Sequence, residues 1–262
     1  TGVDLESLLT WTATASTTLY LAAMDFDVGT GAYQLSGFTR NQLFGSFAAD
    51  TLVGSSGNDT LDTLQGDDQL RGGSGDDILQ GGAGIDTGRY AGSASGYFIE
   101  HMNTGGWVVR DLVGDEGRDL AYDVERLLFD DGRWALDLDG HAGTAVKLLG
   151  AVFGPDSVRI EAYVGILLQV LDGGMDESTL MQLALQARLG PDQVTPTNVV
   201  NLLYSNLIGT LPDTPTRLAL EAVIDNGSYT PVSLSQAVAE LDLNLENIDF
   251  VGISALGIGY AV

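Results

Sequence analysis

A nine-residue repeat between residues 45 and 89 constrains the fold of this 262-residue chain more than any other feature. Most copies carry glycine at the fourth position, aspartate at the sixth and leucine at the eighth. The five copies read GSFAADTLV (45–53), GSSGNDTLD (54–62), TLQGDDQLR (63–71), GGSGDDILQ (72–80) and GGAGIDTGR (81–89). Three residues centred on the leucine suit a short strand with one inward side chain, and the remaining six suit a glycine-dependent turn. Two copies therefore complete one coil of a parallel β-structure.

The same period stacks acidic side chains on one another. Turns 18 residues apart lie on the same edge, ~4.8 Å apart, so Asp59 is expected over Asp77 and Asp68 over Asp86. Each such pair costs ~3 kcal/mol at an effective dielectric constant of ~20, against a total stability of ~5–15 kcal/mol for a domain. A divalent cation between the turns removes this repulsion. Ca²⁺ accepts about six to eight oxygen ligands, including main-chain carbonyls, whereas Mg²⁺ demands tighter geometry.

The copies GGSGDDILQ and GSSGNDTLD resemble the repeats-in-toxin (RTX) nonapeptide G-G-x-G-x-D-x-U-x. That resemblance implies a parallel β-roll with Ca²⁺ between the turns, held by aspartate carboxylates and by carbonyls of the glycines and their neighbours. The metal ligands it implies are Asp50, Gly57, Asn58, Asp59, Gly66, Asp67, Asp68, Gly75, Asp76, Asp77, Gly84 and Asp86. A flexible glycine- and aspartate-rich linker is the alternative, and the constant nine-residue phase disfavours it.

Pairing turns 18 residues apart predicts two good calcium sites, one between 54–59 and 72–77 and one between 63–68 and 81–86. A third pair, 45–50 with 63–68, is weaker, because Phe47 and Ala48 stand where the repeat has glycine or small residues.

The regions around the repeats predict an α+β protein in three segments. These are a β-rich lead-in (1–44), the β-roll with a β cap (45–140) and a small C-terminal helical bundle (141–262). Within the lead-in, strand-like residues on either side of 25–31 suggest a hairpin, and Asp25-Phe26-Asp27 is a minor candidate for an ion.

The segment after the repeats reads as β-structure that covers the end of the roll. Strands are predicted at 97–99 and 107–109 with a turn between them, and the following stretch resembles the VERLxFxDG-like module that often follows RTX repeats. An open roll end is an exposed sheet edge, so a cap is expected there. Its acidic residues are interpreted as a further ion site or, preferably, as residues of turns and a helix start; they are Asp130, Asp131, Asp137 and Asp139.

Four to five helices are predicted in the C-terminal segment. The first, Ser157–Leu171, is apolar on most faces and is expected to be buried. The others are one capped by Asp176 that ends at Gly190-Pro191, one from Thr195-Pro196 to Gly209, one from Thr214-Pro215 to Asp225, and one capped by Ser233 that runs to about Leu241.

The helical segment resembles a phycobilisome-linker-like domain of unknown function found in secreted bacterial proteins. The similarity lies in VNLLY at 200–204, LIG at 207–209, Pro212-Asp213 and Asp225-Asn226-Gly227. The last residues, 247–253, resemble the uncleaved C-terminal signal of type I secretion substrates, and they suit a final strand or helix packed on the bundle equally well.

Charge and composition exclude several classes of function. The chain has 36 Asp and Glu against 11 Lys and Arg, a net charge of −25, which repels nucleic acid and anionic lipid. The absence of cysteine excludes disulfides and thiolate chemistry. The apolar runs are far shorter than the ~20 residues that a membrane-spanning helix needs, so no such helix is expected.

No catalytic constellation is visible in the sequence. The two histidines, His101 and His141, lie outside any H-E-x-x-H motif, and Ala94 occupies the position that a nucleophilic serine would need in 92–96. We therefore expect no catalysis by this chain itself, His101 on a surface strand and His141 at a helix start.

The combined expectation is a secreted bacterial calcium-binding protein, either free or attached to the cell surface. Its roll stays open at the low Ca²⁺ of the cytoplasm and folds outside, where Ca²⁺ near ~10⁻³ M meets sites with Kd of ~10⁻⁴–10⁻³ M. The expected partners are calcium and type I secretion machinery. Two alternatives remain open: the C-terminal module of a larger secreted hydrolase, or a surface-layer or adhesin module that binds polysaccharide or neighbouring proteins.

Overall fold

The computed structural model of the chain describes residues 21–22, 32–34 and 41–261. Two seven-stranded sheets face each other, and eight α-helices follow them among these residues. The α+β prediction of a parallel β-roll followed by helices is confirmed.

Six consecutive strands of three residues each form the roll, and they alternate between the two sheets. They are β3 (Gln42–Phe44), β4 (Thr51–Val53), β5 (Thr60–Asp62), β6 (Gln69–Arg71), β7 (Ile78–Gln80) and β8 (Thr87–Arg89). Strands two apart pair in parallel with an 18-residue offset, as in Leu61 with Leu79 and Leu52 with Leu70. The eighth-position leucines are fully buried between the sheets. The nine-residue period therefore predicts both the strands and their register.

The predicted N-terminal hairpin is wrong. Two short strands, β1 (Leu21–Ala22) and β2 (Ala32–Gln34), belong to different sheets, and each pairs in parallel with a roll strand. Both segments thus extend the coil of the roll. The sequence did not indicate this, because these residues precede the nine-residue repeats. The candidate ion site at Asp25-Phe26-Asp27 lies outside the described residues.

The β cap is present, and part of it continues the roll. After a hairpin of β9 (Tyr97–His101) and β10 (Trp107–Asp111), strand β11 (Arg118–Tyr122) pairs in parallel with β7. Strand β12 (Arg126–Leu128) pairs in parallel with β8, and β13 (Arg133–Ala135) turns back against β12. One further coil therefore closes the roll, with Leu127 packed beside Gly88, where the last repeat lacks its apolar residue.

The helical region packs around its first helix. The helices are α1 (His141–Phe153), α2 (Glu161–Asp172), α3 (Glu177–Leu189), α4 (Pro196–Ile208), α5 (Thr214–Asp225), α6 (Pro231–Ala239), α7 (Asp242–Asn247) and α8 (Phe250–Leu256). Helix α1 contacts α2, α3, α4, α6 and α7, and nine of its 13 residues are buried. None of the described helices combines the length and the apolarity that crossing a membrane requires.

Local capping signals placed three helices correctly. The side chains of Asp176 and Thr195 cap α3 and α4 by accepting hydrogen bonds from the backbone N–H groups of Thr179 and Asn198. Gly209 ends α4 in a left-handed conformation. Helix α5 runs from Thr214 to Asp225 as predicted, with Asp213 as its cap.

Three helix predictions need correction. The described region has eight helices, not four or five. Ser157–Leu171 is not buried on most faces, because α2 begins at Glu161 and leaves Tyr163 and Ile166 exposed. Helix α6 is capped by Thr230, and Ser233 is the third residue of a reciprocal capping box. Apolar composition alone could not show which face of α2 meets water.

The C-terminal residues return to the roll. Strand β14 (Ile258–Tyr260) pairs antiparallel with β13. It becomes the edge strand of the sheet that contains β4, β6 and β8. The chain end therefore forms a helix, α8, and a final strand, β14, whereas its role as a secretion signal stays a prediction.

Candidate metal centre

The sixth-position carboxylates form two hydrogen-bonded ladders, one on each edge of the roll. In each step the backbone N–H of one rung donates to the carboxylate 18 residues later. Asp59 N donates to Asp77 Oδ1 at 2.7 Å, and Asp68 N donates to Asp86 Oδ1 at 2.9 Å. The third pair has the same geometry, since Asp50 N donates to Asp68 Oδ1 at 2.6 Å.

The second oxygen of three ladder carboxylates lacks a donor among the described residues. Oδ2 of Asp68, Asp77 and Asp86 is buried and accepts no hydrogen bond. The Thr63 hydroxyl lies beside Asp68, but it donates its proton to the carbonyl of Gly81 at 2.7 Å. A buried acceptor without a donor costs ~1–3 kcal/mol, and more when it is charged. Each oxygen is therefore placed to receive a cation.

Burial also disfavours the charged form of these groups. It raises the pKa of Asp77 to about 6 and the pKa of Asp86 to about 7, with the neighbouring carboxylates adding to the effect. The pKa of Asp68 is raised by burial as well. Ionised carboxylates in this position need a compensating positive charge.

First-position glycines make room for the unpartnered oxygens. A Cβ on Gly72 would lie 2.1 Å from Asp77 Oδ2, and one on Gly81 would lie 2.6 Å from Asp86 Oδ2. Fourth-position glycines instead allow close approach between turns: Gly84 has φ +148°, and a Cβ there would lie 1.9 Å from the carbonyl oxygen of Gly66. The turns thus bring main-chain carbonyls and carboxylates together, as the ligand preference of Ca²⁺ requires.

The predicted fifth-position residues play a part that the sequence did not reveal. Their side chains accept hydrogen bonds from the next turn on the same edge: Asn58 from Asp76 N at 3.0 Å, and Asp67 from Ile85 N at 2.9 Å. Asp76 accepts in the same way from Arg118 N at 2.9 Å. These exposed side chains hold successive turns in register, while their carbonyls remain available as the predicted co-ligands.

Both ladders extend beyond the repeats to residues that sequence reasoning missed. Asp119 Oδ1 accepts from Asp77 N at 2.9 Å, and Glu125 Oε2 accepts from Asp86 N at 2.8 Å. Burial raises the pKa of Asp119 to about 8 and that of Glu125 to about 7. The G-x-D spacing of Gly117 and Asp119 was a usable signal, but it stands 42 residues, not 18, after Asp77.

The opposite end of one ladder is closed by an amide. Asn41 occupies the rung before Asp59, and its backbone N–H and side-chain Nδ2 both donate to Asp59 Oδ1, at 2.6 and 2.8 Å. Ser55 donates to Asp59 Oδ2 from its backbone N–H at 2.6 Å and from its hydroxyl at 3.0 Å. Asp59 is therefore satisfied by hydrogen bonds on both of its oxygens.

Other candidate residues have structural partners. Asp130 accepts from Gly92 N, and Asp131 from Ala94 N, within turns. Asp137 accepts from His141 N at 2.9 Å at the start of α1. His101 is exposed on β9. Across the described ranges, no group of three or more His, Asp or Glu side chains is arranged to hold a metal ion by itself.

Comparison with known families agrees with this geometry. Residues 37–70, 44–79 and 53–87 match the RTX calcium-binding nonapeptide repeat. The chain therefore carries calcium-binding RTX repeats folded as a β-roll, in which calcium has a structural role. That match ends at residue 87 and lends no support to the resemblance of the helical region to the phycobilisome-linker-like domain.

No curated protein matches the chain. Among solved structures it is similar to the extracellular lipase LipA from Serratia marcescens, with 22% identity and a TM-score of 0.36. The similarity covers 40% of this chain and 18% of the lipase chain, so the chain spans less than a fifth of that protein.

Proposed function

We propose that this chain is a secreted, non-catalytic calcium-dependent folding module. The observation that carries the proposal is the set of buried, unpartnered oxygens on Asp68, Asp77 and Asp86. They correspond to three turn pairs: 45–50 with 63–68, 54–59 with 72–77, and 63–68 with 81–86. Each pair would hold one Ca²⁺, with the carbonyls of the glycines and of Asn58, Asp67 and Asp76 as co-ligands.

The proposal includes the turn pair whose sequence departs from the repeat, 45–50 with 63–68. Ala48 replaces glycine in the 45–50 turn, yet the hydrogen bond between Asp50 and Asp68 has the same form as those of the other two pairs. The turn that ends at Asp59 would contribute main-chain carbonyls to its site. The Asp59 carboxylate would not be needed as a ligand, because both of its oxygens already accept hydrogen bonds.

Folding of the roll would then depend on where the chain is. At low Ca²⁺ the ladder carboxylates repel one another across buried rungs, and the open chain is favoured. Outside the cell, sites with Kd of ~10⁻⁴–10⁻³ M fill, and each contributes RT ln(1 + [L]/Kd), ~1.4 kcal/mol at tenfold excess. Bound calcium supplies the positive charge that the two carboxylate ladders lack.

Circular dichroism and thermal melting of the full chain, in chelator and in calcium, test the proposal. We expect a calcium-dependent gain of β signal and a higher melting temperature, with a smaller response to Mg²⁺. An identical spectrum and melting temperature in both conditions would refute calcium-dependent folding.

A pair of glycine variants tests the position of the sites. Gly72→Ala places a methyl group against Asp77 Oδ2 and should raise the calcium concentration needed for folding. Gly132→Ala is the matched control, because nothing lies within 4 Å of its added Cβ. Equal calcium midpoints for both variants would contradict a site beside Asp77.

We further propose export by a type I secretion system that reads the C-terminal residues. Co-expression with such an exporter tests this: deletion of residues 247–262 should keep the chain inside the cell, whereas the intact chain appears in the medium. Equal export of both forms would locate the signal elsewhere.

A further inference from the structure

One buried side chain joins the calcium-binding roll to the helices. Arg126 lies on β12, beside β8, and its backbone N–H donates to the carbonyl of Asp86 at 2.9 Å. Glu125, the preceding residue, donates to the same carbonyl and accepts from Asp86 N. The strand that carries Arg126 is therefore bonded directly to the last proposed calcium turn.

The guanidinium of Arg126 reaches the helices from that strand. Nη2 donates to both carboxylate oxygens of Asp172, the last residue of α2, at 2.7 and 3.0 Å. Nη1 donates to Asp137, which also accepts from His141 N at the start of α1. Arg126 is 3% exposed, so its charge depends on these two partners for compensation.

The C-terminal strand makes a second connection. β14 extends the sheet that contains β8, β12 and β13, and Trp134 on β13 donates to the carbonyl of Leu256 at 3.0 Å. Beyond β14, Ala261 N donates to the carbonyl of Glu161 at the start of α2. Helix α2 is thus bonded to the sheet of the roll at both ends, through Glu161 at its start and Asp172 at its end.

We propose that calcium binding in the roll controls the stability of the helical region, which holds none of the proposed ligands, and that Arg126 is the principal link. This inference rests on the proposed function. If the roll opens, β12 loses its pairing with β8. Arg126 on β12 is then no longer positioned to bind Asp172 of α2 and Asp137 before α1. Calcium that stabilises the folded roll then stabilises the helices by the same linkage.

Hydrogen exchange followed by mass spectrometry on the full chain tests the inference. In the wild type, calcium should slow exchange in peptides from 141–172 by the same factor as in peptides from 69–89. In Arg126→Met the roll peptides should keep their calcium response, while the factor for 141–172 falls towards one. Arg217→Met is the control, because Arg217 pairs with Glu221 within α5, and it should behave as the wild type.

A milder variant, Asp172→Asn, serves if Arg126→Met does not fold. It removes one of the two charges that compensate Arg126 and should weaken the calcium response of 141–172 in part. A calcium response in the roll with none in the helices would overturn the inference and leave the proposed function intact. No response in either region would instead overturn the proposed function, and full coupling in both variants would exclude Arg126 as the link.

Discussion

Replacing Asp77 by asparagine should change the stability of the roll in opposite directions with and without calcium. The variant keeps an oxygen that can accept the hydrogen bond from Asp59 N, which is 2.7 Å from Oδ1. It removes the negative charge beside Gly72, where Oδ2 has no donor. The sign of the effect therefore depends on whether a cation is there to use that charge.

Without calcium the substitution should stabilise the folded roll. Burial raises the pKa of Asp77 from 3.8 to about 6, so at about pH 8 the folded state carries a charge that it disfavours. Roughly two pKa units correspond to ~3 kcal/mol, and solvent screening reduces this to ~1–2 kcal/mol. With calcium the variant loses a ligand, and the loss of one site removes up to ~2.7 kcal/mol at hundredfold excess, which outweighs the ~1–2 kcal/mol gained.

Two titrations followed by circular dichroism measure the two signs. In chelator, trimethylamine N-oxide drives the roll to fold, because it strengthens burial, and Asp77→Asn should need less of it than the wild type. In a calcium titration the same variant should need more calcium. Asp192→Asn is the charge-matched control on an exposed turn and should shift neither midpoint. Midpoint shifts of the same sign in both titrations would refute the argument that Asp77 holds a cation.

Two other expectations concern backbone strain and pH. Leu64 adopts φ +71° at a position where two other copies have glycine (Gly73 and Gly82), so Leu64→Gly should raise the melting temperature in calcium by relieving about 1 kcal/mol of strain, whereas Leu112→Gly should not. In chelator, acidification from pH ~8 to ~5 should favour the folded roll, because burial raises the pKa of Asp77, Asp86 and Asp119 from 3.8 to about 6, 7 and 8. The folded state then binds more protons than the unfolded state, so the stabilisation by acid is lost as pH rises through 6 to 8. A β signal that grows with pH would contradict this.

The sequence predicted the roll because its information there is local and periodic. Nine residues specify a strand and a turn, and their repetition fixes the register, so Leu61 could be placed opposite Leu79 without coordinates. Helix ends at Asp176 and Thr195 were predictable for a similar reason, since each cap acts within three residues.

What the sequence could not predict depends on contacts between distant residues. Asp119 joins the ladder of Asp77 only because the hairpin of β9 and β10 leaves the coil and returns to it. The pairing of β14 with β13 joins residues more than 120 apart in the chain, and no local pattern in 258–260 indicates it. The wrong hairpin at β1 and β2 has the same origin, because strand character does not tell which strand is the partner.

The two ladders also indicate why the number of cations is limited. At Asn41, amide donors take the place of an ion and satisfy Asp59, so the first rung needs no cation. At the other end, neither Asp119 nor Glu125 has a buried oxygen without a donor among the described residues. Among the described residues, four ladder oxygens have no donor: Oδ2 of Asp68, Asp77 and Asp86, at the three proposed sites, and Oδ1 of Asp50, at the start of its ladder. A calcium stoichiometry of three would follow from the hydrogen bonds along the ladders and not from the count of acidic residues.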